Sequence, residues 1–374
     1  MNLKKIGIVG GGQLGKMLIL EAKRLGLYVV VLDPSADCPA SSICDELIVS
    51  PLSLVEEVAG YFTLSEKVDV ITYEWESINA NALEELEKKG VEVYPSVRSL
   101  KTIQNKFVQK SALQKKGIPV PRLSKEYTSE LGQKQMFKSA YDGYDGKGNR
   151  VIHGEGDIPE GVEGFFEEMI DFEREVSVIA CRGITGESVI YPIAENAHRN
   201  SILDTTIVPA RISGETAEKA REIADRVMRV FEGVGTFCVE MFVTKSGDVL
   251  VNEVAPRPHN SGHYTIEGCF ANQFENHIRA IFSLPLGNAE LLKPAVMVNL
   301  LGESDGTAKI IGLEEAYGDS DVHVHLYGKA ESKIGRKMGH FTLLDDDLGS
   351  AIERAVALKS VVKIVGDNSE VAEM

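Results

Sequence analysis

EMFVTKSGDVLVNEVAPRPHNSGH, Glu240 to His263, is the stretch on which the reading of this chain turns. Its alternation starts a little upstream: Phe237, Val239, Met241 and Val243 fall on one face of a strand, Cys238, Glu240 and Phe242 on the other. Lys245-Ser246-Gly247-Asp248 is hairpin chemistry. If the two central residues or all four form the loop, Thr244 pairs with Val249 and Glu240 falls opposite Glu253; a loop of odd length separates the two acids. Facing carboxylates repel, so a sheet that keeps them needs a cation or a proton between them, and a divalent metal is the expectation. Just downstream, Arg257, His259, Asn260 and His263 stand among Pro256, Pro258 and Gly262, a stiff polar loop on the end of the acidic hairpin. The pattern predicts a metal beside an anion.

The rest of the chain has room to build around such a site. Its 374 residues suffice for two or three domains with a large core, and 43% hydrophobic against 26% charged residues is ordinary globular composition. A net charge of -16 argues against a nucleic-acid partner, although a local basic pocket for a small anion is compatible with it. Five cysteines without a C-x-x-C pair fit reduced thiols and a cytoplasmic setting. The apolar run after Lys4-Lys5 breaks at Gly10 to Gln13 and again at Lys16, so neither a signal peptide nor a membrane span is expected.

At the N-terminus, Ile6, Ile8 and Val9 predict a buried strand that ends in Gly10-Gly11-Gly12-Gln13-Leu14-Gly15, followed by helical spacing at Leu14, Leu18, Ala22 and Leu25. A second strand, Tyr28 to Leu32, closes on Asp33. This is the dinucleotide fingerprint with its acid, although a glycine loop at a helix start also cradles other phosphates or carboxylates, or simply turns. Strands near Leu47 to Val49 and Val68 to Tyr73, a helical stretch through Leu54 and Val58, a helix Asn81 to Lys89 and a strand Val91 to Val93 complete a doubly wound parallel sheet. Glu74-Trp75-Glu76 lies beyond the carboxyl end of a strand, where such sheets bind ligands.

A helix from Ser99 carrying Leu100, Ile103 and Phe107 leads to the stiff link Gly117 to Pro121. Lys138 ends a short apolar strand and precedes Tyr141 to Asn149, a glycine-rich loop able to close over phosphates, or else a plain hairpin turn. Phe165 to Ile170 predicts a strand running into an acidic turn, and Val176 to Cys181 another strand. Ala220, Ile223, Ala224, Val227, Met228 and Phe231 predict an amphipathic helix packed on the acidic hairpin. Beyond strands at Ala295 to Leu300 and Val322 to Leu326, the segment Lys329 to His340 carries three Lys and one Arg, a candidate phosphate grip in an acidic chain. A helix Leu348 to Leu358 and a strand Val361 to Val365 close the chain as structural elements.

Lys106, Lys138, the glycine flap, Glu175 and the Glu240/Asn252/Glu253 hairpin together resemble the ATP-grasp ligases. More narrowly, GGGQLG (Gly10 to Gly15), YEWE (Tyr73 to Glu76), YDGKGN (Tyr144 to Asn149), NEVAPRPHNSGH (Asn252 to His263) and GRKMGH (Gly335 to His340) resemble the N5-carboxyaminoimidazole ribonucleotide synthetases of purine biosynthesis. The resemblance implies an N-terminal domain over 1–98 that binds a ribonucleotide and not a dinucleotide, an ATP-grasp domain over 99–292 and a small β-rich domain over 293–374. ATP would meet Lys106, Lys138, the flap residues Tyr144, Asp145, Gly146, Lys147, Gly148 and Asn149, then Glu167, Glu168, Met169, Ile170, Glu175, His198, Asn252 and Glu253. Two Mg²⁺ ions would sit on Glu240 and Glu253. Arg257, His259 and Asn260 would hold bicarbonate and then carboxyphosphate, with Asp145 a candidate base beside Glu76 and the departing phosphate. Gly12, Gln13, Leu14, Glu74, Glu76, Tyr144, Lys147, Lys329 and Arg336 would surround 5-aminoimidazole ribonucleotide. Lys106 and Lys147 stand where relatives often carry Arg, so both bind phosphate without a bidentate fork. The resemblance also implies a homodimer with no nucleic-acid or membrane partner. The alternatives are a different ATP-grasp reaction on the same scaffold, a dinucleotide-dependent oxidoreductase resting on Gly10 to Gly15 and Asp33, and an inactive nucleotide-binding module.

Overall fold

The computed structural model describes residues 4–53, 58–141, 143 and 146–367. Strands β1 (Lys5–Val9), β2 (Tyr28–Asp33), β3 (Glu46–Val49), β4 (Val70–Tyr73) and β5 (Glu92–Val93) form the predicted parallel sheet, in the order β3-β2-β1-β4-β5. Its strands are apolar on both faces because both are covered. Helix α1 (Gln13–Arg24) lies over Ile6, Ile8, Val29 and Val31. Helices α2 (Ala59–Ser65), α3 (Ala80–Lys88) and α4 (Val97–Gln104) lie over Val9, Val30, Leu32 and Ile71. The part of the expected helical stretch at Leu54 falls outside the described residues.

Where the spacing predicts one helix from Ser99 through Phe107, the chain breaks. Asn105 leaves the helical region at φ −92°, ψ 104°, and its side chain accepts the N–H of Val108 at 3.0 Å, capping a new helix α5 (Lys106–Lys115). The break sets Lys106 on the first turn of α5.

Strands β6 (Leu123–Ser124), β7 (Gln135–Ser139), β8 (Asn149–Ile152) and β9 (Gly164–Glu168) form an antiparallel sheet, with the glycine flap joining β7 to β8. The remaining strands are β10 (Phe172–Arg182), β11 (Ser188–Ile190), β12 (Ala194–Arg199), β13 (Ile202–Val208), β14 (Gly235–Thr244), β15 (Val249–Ala255), β16 (Ala295–Leu301), β17 (Gly306–Ile311), β18 (Val322–Leu326), β19 (Glu331–Ser332), β20 (Lys337–Leu344) and β21 (Lys363–Asp367). A nine-stranded sheet runs β15-β14-β10-β12-β13-β16-β20-β18, with β11 paired to β10. The C-terminal strands β16, β18 and β20 thus continue the central sheet, while β17, β19 and β21 make a small sheet of their own. Helix α6 (Gly214–Val230) packs Ala220, Ile223, Ala224 and Val227 on Val239, Met241 and Val251 of the acidic hairpin, as its amphipathic spacing predicts. Helices α7 (Thr265–Gly268) and α8 (Gln273–Ile281) follow the polar loop, and α9 (Leu313–Tyr317) and α10 (Leu348–Val361) belong to the C-terminal part. Phe274, Ile278 and Ile281 of α8 join α1 in the core of the first sheet, which fixes the N-terminal domain against the hairpin.

The hairpin corrects one expectation and meets another. Val249 pairs with Val243, not Thr244, so the loop Thr244 to Asp248 is odd. That register alone would place Glu240 opposite Asn252. A β-bulge inserts Asn252 between Val251 and Glu253, and Glu240 faces Glu253 after all.

Candidate active site

A cleft of about 490 Å³ opens between the acidic hairpin, the flap sheet and the carboxyl ends of the first sheet. The bulged Asn252 accepts Lys138 Nζ at 2.7 Å. Lys138 also pairs with Glu167 at 2.9 Å, and Lys110 closes on the other oxygen of that carboxylate. Burial pulls Lys138 down, but the charge and hydrogen bond of Glu167, joined by the Glu253 charge, together hold the ammonium above its usual range. Lys110 goes the other way, lowered by burial and by Lys138. Sequence reasoning missed Lys110, although Lys106 and Lys110 stand four apart on one helix face and could have been found by that spacing. Lys106 reaches Glu253 at 3.0 Å and the flap carbonyl of Gly143 at 2.6 Å.

Burial and the Glu253 charge push the Glu240 carboxyl up to about 7. Two hard oxygen donors on facing strands, one already raised by the other's charge, are what a divalent cation would relieve, so the residues fit magnesium. Glu175 pairs with His198 across β10 and β12, and the same wall carries Glu168, Met169, Ile170 and the stacked pair Phe172/Phe242, with ring centroids 4.7 Å apart.

The polar loop forms the opposite wall. Arg257 is 7% exposed and forks onto Glu76, with Nη2 2.9 Å from Oε1 and Nε on Oε2. Burial pushes Glu76 up, yet Arg257 outweighs it and leaves the carboxylate below its ordinary range. His259 is driven well below the ordinary histidine range by burial and by Arg257, and its Nε2 lies 3.7 Å from Glu240. Asn260 lines the cleft with both amide atoms buried and unpartnered among the described residues. A buried amide lining the cleft has both a donor and an acceptor to offer a bound anion or water.

The glycine loop answers the fingerprint question. Glu74 accepts the N–H groups of Gly12 at 2.6 Å and Gly15 at 2.7 Å, and Asp33 accepts that of Gly11 at 2.7 Å. A Cβ on Gly12 would stand 2.5 Å from Glu74 Oε1. These amides serve two carboxylates of the protein itself, so the loop offers no pyrophosphate cradle, and both Asp33 oxygens are engaged by the N–H groups of Gly11 and Ser35. Gln13, Leu14, Glu74 and Glu76 line the cleft. Lys329 bonds Gln13 at 3.0 Å, its ammonium pushed down to about 8 by burial and Arg336. Arg336 is exposed and donates to the Glu331 carbonyl at 2.8 Å, outside the cleft lining; Lys337 lines it instead.

Of the expected flap residues, Gly146 and Asn149 reach the cleft, Lys147 and Gly148 are exposed on the turn, and Tyr144 and Asp145 fall outside the described residues. The other residues expected around ATP and the acceptor anion line one continuous cleft.

Comparison with known proteins accords with this geometry. Family models match in three consecutive segments: a ribonucleotide synthetase preATP-grasp domain over residues 3–104, an ATP-grasp domain over 112–274, and a phosphoribosylaminoimidazole carboxylase C-terminal domain over 295–354. The N5-carboxyaminoimidazole ribonucleotide synthase of Staphylococcus aureus (strain COL) is 40% identical over 359 residues, 92% of this chain and 93% of that protein. The chain belongs to the N5-carboxyaminoimidazole ribonucleotide synthases. Among solved synthases of this family, that from Thermotoga maritima is 45% identical and superposes with a TM-score of 0.90, covering 98% of this chain and 100% of the other. The Aspergillus clavatus synthase, solved with ADP and 5-aminoimidazole ribonucleotide, is 34% identical with a TM-score of 0.86, covering 96% and 98%.

Proposed function

We propose that this synthase carboxylates 5-aminoimidazole ribonucleotide with bicarbonate to N5-carboxyaminoimidazole ribonucleotide, releasing ADP and phosphate through carboxyphosphate, in purine biosynthesis. The observation that carries the reading is one cleft holding both the Lys106/Lys138 network on the acidic hairpin and the Arg257–Asn260 loop with its unpartnered amide.

Bicarbonate is a poor electrophile, so it must first be activated. The γ-phosphoryl group of ATP breaks from ADP and bonds to a bicarbonate oxygen, with Lys106 and Lys138 placed to offset charge on the phosphates. The buried, paired Arg257, the Asn260 amide and neutral His259 bind the acceptor anion as preorganised donors. The ribonucleotide amine then attacks the activated carbon, phosphate leaves with the bonding electrons, and the amine gives up a proton. Glu76 is unsuited to take that proton, because Arg257 holds it ionised and weakly basic; Asp145 or the departing phosphate remains. Magnesium held by Glu240 and Glu253 would supply charge neutralisation on the polyphosphate. Flap closure keeps water from the carboxyphosphate.

On the ribonucleotide side we assign Gly12, Gln13, Leu14, Glu74 and Glu76 to the base and sugar, Glu74 by shaping the loop, and Lys329, Arg336 and Lys337 to the 5′-phosphate. Two magnesium ions, a homodimer and a cytoplasmic setting complete the proposal; the five cysteines are unpaired thiols, and no helix among the described residues is long and apolar enough to cross a membrane. ADP release with 5-aminoimidazole ribonucleotide present, measured with and without bicarbonate, tests the reading. Release that is indifferent to bicarbonate, or that runs on formate instead, rejects it.

A further inference from the structure

Beneath the anion loop lies a file of buried polar side chains that the reaction does not touch. Thr206 Oγ1 donates to Asn196 Oδ1 at 3.0 Å, Asn196 Nδ2 to Ser177 Oγ at 2.9 Å, and Ser177 Oγ to Ser261 Oγ at 2.8 Å. Ser261 Oγ is 2.8 Å from His259 Nδ1. The members come from β13, β12, β10 and the loop itself, and none is more than 7% exposed. Buried hydroxyls strung across neighbouring strands have a cost unless every proton is placed.

The direction of the file follows from one backbone group. The N–H of Ser261 also points at His259 Nδ1, at 3.3 Å, and a backbone N–H can only donate. Nδ1 is therefore an acceptor, and the single hydroxyl proton of Ser261 goes to it as well. The Ser261 oxygen then accepts from Ser177 and from the Cys238 thiol, whose sulfur is 3.7 Å away. Every donor and acceptor at Ser261 is used, and the hydroxyl protons of Thr206, Ser177 and Ser261, with one amide proton of Asn196, point toward His259.

We propose that Ser261, backed by Ser177, Asn196 and Thr206, is a positioning residue that fixes His259 as the tautomer with its proton on Nε2, the nitrogen on the Glu240 side. An Nε2–H donor is attractive to a bicarbonate or carboxyphosphate oxygen, whereas the other tautomer presents a lone pair and repels it. The role rests on the proposed placement of the acceptor anion at Arg257, His259 and Asn260, but the tautomer itself is independent of that placement.

The experiment is ¹⁵N-histidine NMR on the ligand-free full-length protein, paired with steady-state kinetics. His259, assigned by loss of its signals in His259→Asn, shows an acceptor-type Nδ1 and a proton-bearing Nε2. Ser261→Ala moves these shifts toward a tautomer mixture and raises the bicarbonate KM about tenfold, the size of one hydrogen bond to an anion, with the ATP KM unchanged; Ser261→Thr, which keeps the hydroxyl, restores both. A proton found on Nδ1 in the wild-type protein overturns the proposal whatever the kinetics. An unchanged spectrum in folded Ser261→Ala also overturns it. Shifts that move as expected with an unaltered bicarbonate KM remove the catalytic role of the file and, separately, count against the anion placement.

Discussion

Arg257 shows how much a single side chain is asked to do. It is buried, forked on Glu76 and 5.9 Å from the centre of the Trp75 ring, so truncation to alanine would strand a half-buried carboxylate and damage the packing as well as the chemistry. Arg257→Lys keeps the charge and loses the fork. It is expected to lower kcat about a hundredfold, roughly the 2.7 kcal/mol of a lost transition-state donor, while the ATP KM stays within a factor of about two; turnover equal to wild type removes Arg257 from the anion site. Arg336 makes the opposite case. It is exposed, so Arg336→Ala leaves the fold alone, and the expected result is a rise of about tenfold in the ribonucleotide KM with no change for ATP, the loss of one charge-assisted contact. A shift in the ATP KM of the same size would assign Arg336 to the wrong substrate.

At the scale of elements, Asn105 decides where Lys106 points. Its side chain caps α5, and Asn105→Ala is expected to cost about 1 kcal/mol of stability and to raise the ATP KM several-fold, because α4 and α5 lose the break that turns Lys106 toward Glu253 and Gly143. Urea unfolding and initial rates check the two parts, and Asn105→Asp, which keeps the capping oxygen, should recover most of both. That break was not legible in the sequence, since Leu100, Ile103 and Phe107 keep helical spacing across it. The hairpin was half legible: alternation and turn chemistry located the strands and the two acids, but the odd loop and the bulge at Asn252 cancel, and periodicity carries no sign of either. The glycine loop misleads for a different reason. Its spacing is that of a phosphate cradle, and only the fold reveals that Glu74, 62 and 59 residues away, fills the amides of Gly12 and Gly15. Long-range partners of this kind, like Ser177 and Asn196 behind His259, leave no local pattern to read.

For the whole molecule, the question is what holds the first sheet against the central one, and one answer is His277 on α8. Its Nδ1 accepts the N–H of Thr236 on β14 at 3.0 Å, which leaves the proton on Nε2 to be donated to Thr72 Oγ1 on β4 at 2.8 Å. A protonated ring would set an N–H donor against the Thr236 N–H, and burial adds to that cost; the histidine is pushed down to about 3. In the unfolded chain the same group has its ordinary value near 6.5. Below that pH the unfolded state binds the extra proton and the folded state does not, so stability is intact above about 6.5 and falls as pH drops toward 3, by about 1.4 kcal/mol per pH unit for this one group. His259, His263 and His340 are also held well below the ordinary range by burial and add in the same direction. Urea unfolding at a series of pH values from 7.5 to about 5 should therefore show a loss that sets in near pH 6.5 and that His277→Gln makes shallower, by as much as about 1.4 kcal/mol per unit at the acid end of the series, since glutamine can bond both threonines and does not titrate. An identical slope in the variant would mean that His277 takes up its proton equally in the folded and unfolded states, and the neutral bridge between the two sheets would have to be abandoned.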